Sequence, residues 1–374
     1  MSLMLPTAED DAVCLTDVLV SCLAAVGIPR VENRAGIPPS GSVVLVVVDG
    51  LGSHNLARAH GHARFLNSSH HLRSDILTVF PSTTASALAS LMTGVEPVQH
   101  GIVGYRIRDP KTGRVFNQLG ELHQAPPQWM RVPTLAERIG SVADIHIVGR
   151  SKFAQSPLTS MIYAGATYTS AESFSERFHV AASLAQQRGR VIVVYVSELD
   201  SLAHTFGVDS SEWIAELEEL DSCVRDARSH MPDGARIVIT ADHGVIDVPA
   251  SQHSIFTNRD LVAGVSDIGG EPRCLQLFLD EGADVARIVA AWSSFVGESA
   301  DVMTRDHALA YGLFRKAGNL DPSILERIGE VLVLARTDTV FYDGNAANTR
   351  AQRMIGQHGA CSRSEMTIPL IVVN

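Results

Sequence analysis

Basic residues are scarce in this chain: 30 Lys and Arg stand against 41 Asp and Glu in 374 residues, a formal net charge of -11. A surface of that sign has no cationic excess with which to release counterions from a phosphate backbone, which argues against duplex nucleic acid as a partner. A small phosphorylated substrate stays open, because a bound metal supplies positive charge locally. Cysteines are also few. Cys14, Cys22, Cys223, Cys274 and Cys361 are odd in number, scattered, and form no C-x-x-C pair. They read as reduced thiols and place the protein in the cytoplasm. Long apolar runs are missing as well. The most apolar N-terminal stretch, 12–28, contains Asp17 and follows no basic segment, unlike a secretory signal. No run approaches the ~20 residues that span a bilayer, so no membrane partner is expected. Aromatics are only 6%, yet hydrophobic residues total 45%, ample for a buried core, which excludes disorder and small stapled scaffolds.

What the chain does have is a series of short apolar, β-branched runs: 43–48, 145–148, 191–196, 237–240, 331–335 and 368–373. Each is too short for a helix, and unbroken hydrophobicity predicts strands covered on both faces in a mostly parallel sheet. Helical patterns at 85–92, 134–139, 173–187 and 211–229 alternate with them, giving an α/β fold with crossover connections. Residues 109–133 open on Asp109-Pro110-Lys111-Thr112-Gly113, which has turn chemistry, and are expected to form a hairpin or lid. Residues 249–348 carry strand-like and helical pieces of their own and are expected to form an inserted subdomain. Both belong to one domain over 1–374.

In open parallel sheets ligands bind beyond the carboxyl ends of the strands, and there the sequence is unusually polar. The first run leads into Asp49-Gly50-Leu51-Gly52, the third into Glu198 through His204, and the fourth into Asp242-His243-Gly244. Asp200 and His204, four apart, share a face on a helical turn and can reach one cation. Gln357-His358-Gly359 sets a further histidine between polar and glycine residues before the last run. Taken singly, Asp49, the Asp200–His204 pair and His358 each have a plain structural explanation, as a turn aspartate, a local helix pair and a loop histidine; a buried strand ending in Asp242-His243 is harder to explain that way and favours a functional role. Together, three carboxylates and three imidazoles suffice for two divalent ions. Their chemistry, without thiolate, suits Zn²⁺, with Mn²⁺ or Fe²⁺ as alternatives. Two such ions clamp the attacking and leaving oxygens of a phosphoryl displacement. Residues 79–94 provide a nucleophile candidate. Pro81 fixes the entry, Ser82 or Thr83 can cap, and Leu88, Leu91 and Met92 fall at helical spacing. A threonine at that N-terminus faces free N–H groups and the positive end of the dipole; an ordinary Ser/Thr cap has the same appearance.

These residues resemble the alkaline phosphatase superfamily and, within it, the type I phosphodiesterase/nucleotide pyrophosphatase family. The resemblance rests on Asp49-Gly50, Phe80-Pro81-Ser82-Thr83-Thr84 followed by Thr93-Gly94-Val95-Glu96-Pro97 and His100-Gly101-Ile102, Asp200 through His204, Asp242-His243-Gly244, and His358-Gly359, in the family's order. It implies an alkaline-phosphatase-like sheet flanked by helices on both faces with a cap-like insertion. It also implies Thr84 as nucleophile, Asp200, His204 and His358 on one zinc, and Asp49, Asp242 and His243 on the other, with Thr84 on the second. The implied activity is a phosphodiesterase or nucleotide pyrophosphatase acting through a phospho- or nucleotidyl-threonine that water then hydrolyses. One departure concerns substrate: where the family carries an asparagine that donates to a phosphate oxygen, this chain has Tyr105, whose hydroxyl can donate from farther away. The family's pattern leaves the oligomeric state open.

A phosphomonoesterase or phosphonate hydrolase on the same fold is the near alternative, and a metal-containing binding protein without activity is the distant one. Sulfatases are set aside, since no Cys-x-Pro-x-Arg or Ser-x-Pro-x-Arg motif occurs. His54, His60, His62, His70 and His71 lack carboxylates at regular spacing and read as surface; His100, His253 and Trp213 read as structural, and Arg106 and Arg108 as solvated loop residues. Gly269-Gly270-Glu271-Pro272-Arg273 has the composition of a turn without an assigned purpose.

Overall fold

The computed structural model describes residues 12–142, 144–315, 320–346 and 350–373; part of the expected 249–348 insertion and the side chains of His70 and His71 lie outside the described set. Along the chain run β1 (Ser42–Val48), β2 (His70–Leu77), β3 (Asp144–Gly149), β4 (Thr167–Ser170), β5 (Arg190–Val196), β6 (Ala235–Thr240), β7 (Val265–Glu271), β8 (Cys274–Leu279), β9 (Ala300–Thr304), β10 (Val331–Ala335) and β11 (Thr367–Val373). Seven of them form the central sheet in the order β2-β11-β6-β1-β5-β3-β4. β1 pairs in parallel with β5 and β6, and β3 with β5 and β4. β1 is Ser-Val-Val-Leu-Val-Val-Val and every residue is buried. Branching at Cβ stiffens such a run in the extended state, and burial on both faces is worth roughly 2 kcal/mol for each of its large side chains. By contrast β4, at the edge, is Thr-Tyr-Thr-Ser and keeps its outward positions exposed.

The principal helices are α1 (Leu15–Ala25), α2 (Thr84–Thr93), α3 (Phe174–Ala185), α4 (Glu198–Phe206), α5 (Ser211–His230), α6 (Val285–Val296) and α7 (Arg363–Met366). α1 packs on β1 and α2; α3 packs on β5 and β1 and supports α5, whose Trp213, Leu217 and Leu220 are buried. No described helix is long and apolar enough to cross a membrane.

Two strands depart from the expected arrangement. Residues 331–335 form β10, which lies in a second, antiparallel sheet of order β7-β8-β10-β9, and not in the central one. Its unbroken apolarity has a different cause: α6 covers this sheet, and a separate core of Phe256, Leu277, Trp292, Val333 and Phe341 forms between them. Residues 368–373, in β11, do belong to the central sheet but run antiparallel between β2 and β6. Residues 106–117 form a hairpin, its strands Arg106–Arg108 and Val115–Asn117 paired antiparallel, with Asp109 accepting from Lys111 N–H and the Thr112 hydroxyl at 3.1 and 2.8 Å. Because β1, β5 and β6 are parallel and adjacent, their carboxyl ends share one edge, which is where the polar residues converge.

Candidate active site

Asp49 follows β1 directly, and its backbone N–H donates to the Val196 carbonyl at the end of β5. Gly50 then turns at φ +74°, a conformation that disfavours any side chain, and a Cβ there would stand 3.1 Å from Asp200 Oδ1. The turn lets Gly50 N–H donate to Asp242 Oδ1 at 3.1 Å. Asp200 sits in the first turn of α4, and one helical turn on, His204 Nε2 lies 3.2 Å from Asp200 Oδ2. Asp242 and His243 leave the end of β6, both completely buried. His243 Nε2 is 3.5 Å from Asp49 Oδ1 and 3.5 Å from Asp242 Oδ2. His358 comes from the loop before α7, stacks on His243 with ring centroids 3.8 Å apart, and points Nε2 to within 3.9 Å of Asp200 Oδ1.

Thr84 is the first residue of α2, after Thr83 as N-cap. Its Oγ1 stands 3.2 Å from His243 Nε2 and 3.5 Å from Asp49 Oδ1. Thr84 and the six ligand candidates therefore meet at one place. Tyr105 does not join them directly. Its hydroxyl accepts from the Asn117 amide, its backbone N–H donates to Glu271 Oε1 at 2.7 Å, and it lines a neighbouring cleft of about 460 Å³ with Arg106, Glu271 and Phe341. The asparagine beside Tyr105 is Asn117, from the hairpin twelve residues on.

The donor set fits divalent cations. Asp200, His204 and His358 bring one ligand atom each to within 4.8 Å of one another, and so do Asp49, Asp200 and His243. Asp200 thus reaches both groups; Asp242 is a member of neither, although its Oδ2 lies 3.5 Å from His243 Nε2. Asp200 Oδ1 and Asp242 Oδ2 are buried and make no hydrogen bond among the described residues. His204 Nδ1 lies 2.7 Å from the Gly356 carbonyl and His358 Nδ1 2.9 Å from that of Ser82. A carbonyl only accepts, so each Nδ1 carries a proton and each Nε2 faces the cluster, the usual outer bracing of a ligand histidine. Burial keeps the His358 ring neutral, whereas at His204 burial is outweighed by Asp200, which raises the pKa.

Electrostatics point the same way. Burial, then Asp242 and Asp200, push the Asp49 carboxyl well above its ordinary range. Burial and Asp200 raise Asp242 to about 6. Burial also opposes the charge of Asp200, but His204 and the other imidazoles hold its carboxyl below the ordinary range. His243 and His358 are lowered to about 4 and about 3, chiefly by burial, which keeps them neutral and able to ligate. Crowded carboxylates beside neutral imidazoles with no basic side chain among them call for an external cation.

Several supporting residues escape sequence reasoning. The Tyr195 hydroxyl, near the end of β5, donates to Asp49 Oδ2; as the one polar group in an apolar run it was the only visible signal. Ser82 Oγ donates to the Ala360 carbonyl at 2.7 Å and accepts from Gly359 N–H at 3.1 Å, joining the α2 entry to the His358 loop. Arg108, expected to be a solvated loop residue, instead lies in the hairpin strand Arg106–Arg108 with its side chain 17% exposed. His100 is buried, with Nε2 2.8 Å from Ser90 Oγ; Arg108 pairs with Glu330 at 2.9 Å; His62 is exposed beside Glu218.

The chain is similar to several known proteins. An uncharacterized pyrophosphatase/phosphodiesterase of Schizosaccharomyces pombe is 23% identical over 66% of this chain and 54% of its own. Human ectonucleotide pyrophosphatase/phosphodiesterase family member 1 is 25% identical over 45% of this chain and 19% of its own. The bis(5'-adenosyl)-triphosphatase of Xenopus laevis is 27% identical over 46% and 39%. The match thus spans about half the length, or less, of these curated relatives. Among solved structures, murine ectonucleotide pyrophosphatase/phosphodiesterase 5 superposes with a TM-score of 0.68 at 14% identity, covering 88% of this chain and 87% of that one. Phosphonoacetate hydrolase of Sinorhizobium meliloti, solved with phosphonoformate, gives 0.66 at 19%, covering 90% of each. At such identities these two establish the alkaline-phosphatase-like fold. The profile described as type I phosphodiesterase / nucleotide pyrophosphatase matches residues 43–360, from β1 through the His358 loop, and the chain belongs to that family.

Proposed function

We propose that this member of a family of phosphoric ester hydrolases is a two-metal phosphodiesterase or nucleotide pyrophosphatase in which Thr84 is the nucleophile. The observation that carries the reading is the placement of Thr84 Oγ1 3.2 Å from His243 Nε2 and 3.5 Å from Asp49 Oδ1, at the N-terminus of α2 and among six ligand candidates. Asp200, His204 and His358 are assigned to one divalent ion, and Asp49, Asp242 and His243 to the other, most suitably zinc for a carboxylate–imidazole set. When bound, the ions supply Lewis acidity and neutralise phosphate charge.

The remaining work falls to the chain. The free first-turn N–H groups of α2 and its dipole favour a phosphate oxygen at Thr84. Tyr195 orients Asp49 and leaves its second oxygen facing Thr84. Thr84 gives up its hydroxyl proton, Oγ1 bonds to phosphorus, and the bond to the leaving oxygen breaks, that oxygen taking up a proton. Water then adds to the phosphothreonine, releasing the phosphate product and restoring the hydroxyl. Tyr105, with its hydroxyl accepting from Asn117, has its own O–H left to offer a substrate.

Thr84→Ala is expected to lower kcat for an aryl phosphodiester at least roughly 10³-fold, with the melting point little changed. Turnover within threefold of wild type would remove the nucleophile from the mechanism. Tyr105 in the asparagine position favours weighing a monoester or phosphonate substrate alongside. Rates for bis-aryl phosphate, aryl monophosphate and a nucleotide aryl ester decide; a monoester rate equal to the diester rate displaces the diesterase reading. A cytoplasmic location is proposed on the five unpaired cysteines, four of them buried; thiol labelling of protein from fractionated cells tests it.

A further inference from the structure

Residues 269–273, joining β7 to β8, take no part in the chemistry above, yet they are shaped for close approach to it. At Gly269 a Cβ would stand 2.6 Å from the Arg106 carbonyl oxygen, so glycine lets β7 lie against the hairpin. Gly270 has φ +75°, and a Cβ there would meet the Cys274 carbonyl oxygen at 2.1 Å. What this narrow turn delivers is the side chain of Glu271, 4% exposed.

Three contacts define its surroundings. Oε1 accepts the Tyr105 N–H at 2.7 Å. The Thr83 side chain lies beside the carboxyl and interacts with it. The aliphatic part runs under Gly359, where a Cβ would stand 2.7 Å from Glu271 Cβ. Thr83 immediately precedes Thr84, Gly359 follows His358, and Tyr105 faces the neighbouring cleft. One buried carboxyl from the second sheet therefore touches the segments that carry the nucleophile, a ligand histidine and the candidate substrate contact. Oε2 is buried and makes no hydrogen bond among the described residues, which a residue serving only to fill space has no reason to include.

We propose that Glu271 is a positioning residue, setting the Tyr105 loop and the Thr83–Thr84 junction in register with His358. The inference rests on the reading of Thr84 as nucleophile and Tyr105 as substrate contact. It makes residues 265–279 part of the site's construction and predicts a loss of substrate fit more than a loss of fold.

The test follows hydrogen exchange at the Tyr105 amide, together with KM and kcat for a bis-aryl phosphate, in Glu271→Gln, Glu271→Asp and Glu271→Ala. Gln keeps an acceptor and the volume, so it is expected to rescue both readouts to within about threefold of wild type. Asp and Ala withdraw the acceptor. Each is expected to speed Tyr105 exchange at least about tenfold while β1 and β6 stay protected, and to raise KM by more than it lowers kcat. Asp keeps a buried carboxyl and serves if Ala fails to fold. Tyr105→Phe should then cost less in the Asp background than in wild type, since one variant has already disturbed what the other removes. Unchanged Tyr105 exchange in the Asp variant, a Gln variant as impaired as Asp, or strictly additive effects would overturn the proposal. If the wild-type chain hydrolyses no ester, the functional reading fails, and the exchange measurement still decides the role of Glu271.

Discussion

A carboxyl buried without a cation holds its charge poorly, and two glutamates near the site show both outcomes. Burial is the largest influence on each. Glu271 has only partial compensation from the Tyr105 N–H and Thr83, faces the like charge of Glu365, and is pushed up to about 8. Glu365 meets the Arg273 guanidinium and stays below its ordinary 4.5. The two have opposite consequences for stability. Between pH 4.5 and about 8 folded Glu271 keeps a proton that the unfolded chain has lost, so this residue makes stability fall as pH rises through that window and level off above it. Glu271→Gln carries no such proton. Melting points of metal-free protein at pH 5, 6, 7 and 8 should therefore decline more steeply in wild type than in the Gln variant; parallel lines would show that Glu271 does not titrate in this range. Such residues lie beyond sequence reasoning for a simple reason. Asp49, Asp242, His243 and Thr84 stand at strand ends or a helix start, within three residues of a glycine or proline, where position alone suggests chemistry. Glu271, Tyr195, Ser82 and Asn117 gain meaning only from partners; Glu271 reaches Tyr105 across 166 positions, Tyr195 reaches Asp49 across 146, and Ser82 reaches Gly359 across 277.

At the level of elements, one connection between the second sheet and the strand-end edge is a buried ion pair. Arg273, at the start of β8, donates through Nε and Nη2 to both oxygens of Glu365 in α7 at 2.8 and 2.9 Å, and through Nη1 to the carbonyls of Thr337 and Thr339. Both side chains are fully buried. Glu365 Oε1 also accepts the Ala360 N–H, and its backbone carbonyl accepts that of Gly244, next to His243. The packing there is tight enough that a Cβ at Gly244 would stand 2.0 Å from the Ser364 carbonyl oxygen. Removing one partner of such a pair leaves the other charged and dry. Arg273→Met is expected to cost about 3–5 kcal/mol in denaturant unfolding. Glu365 contributes fully above the ordinary carboxylate range, and its contribution disappears as pH falls through its depressed value, so the Arg273→Met deficit should shrink in acid. A deficit below about 1 kcal/mol at neutral pH would mark the pair as replaceable. The elements themselves were largely legible. The run 43–48 is β1 within a residue, and 85–92 is the middle of α2. Burial on two faces, however, looks the same whether the neighbours are parallel or antiparallel, which is why 331–335 was expected in the wrong sheet and the direction of 368–373 was not visible. Strand direction follows from the connections, and those run through the insertion where no motif guided the reading.

For the whole molecule the acidic excess and the site belong to one argument. Of the 41 acidic residues, Asp49, Asp200 and Asp242 are drawn to one buried edge, where burial and mutual repulsion raise two of them and only imidazoles support the charge of the third. The fold tolerates that gathering most easily when divalent cations supply the missing charge, and the unfolded chain, with these residues 42 to 193 positions apart, has no comparable site. A ligand that binds only the folded state stabilises it by RT ln(1 + [L]/Kd), about 2.7 kcal/mol when free metal exceeds Kd a hundredfold. That amount corresponds to a shift of several degrees in a domain of a few hundred residues. Chelation is therefore expected to lower the melting point by several degrees, and added zinc to restore it, with the midpoint rising as the logarithm of free metal. His358→Ala and Asp242→Asn should each flatten that rise, since on the proposed assignment each removes a ligand from one of the two ions. The same titration in Thr84→Ala should keep the rise while turnover stays lost, because the threonine contributes chemistry and the carboxylates and imidazoles contribute the ions. A melting point indifferent to chelator and to zinc, in wild type and variants alike, would show that the cluster binds no cation, and the two-metal reading would fall with it.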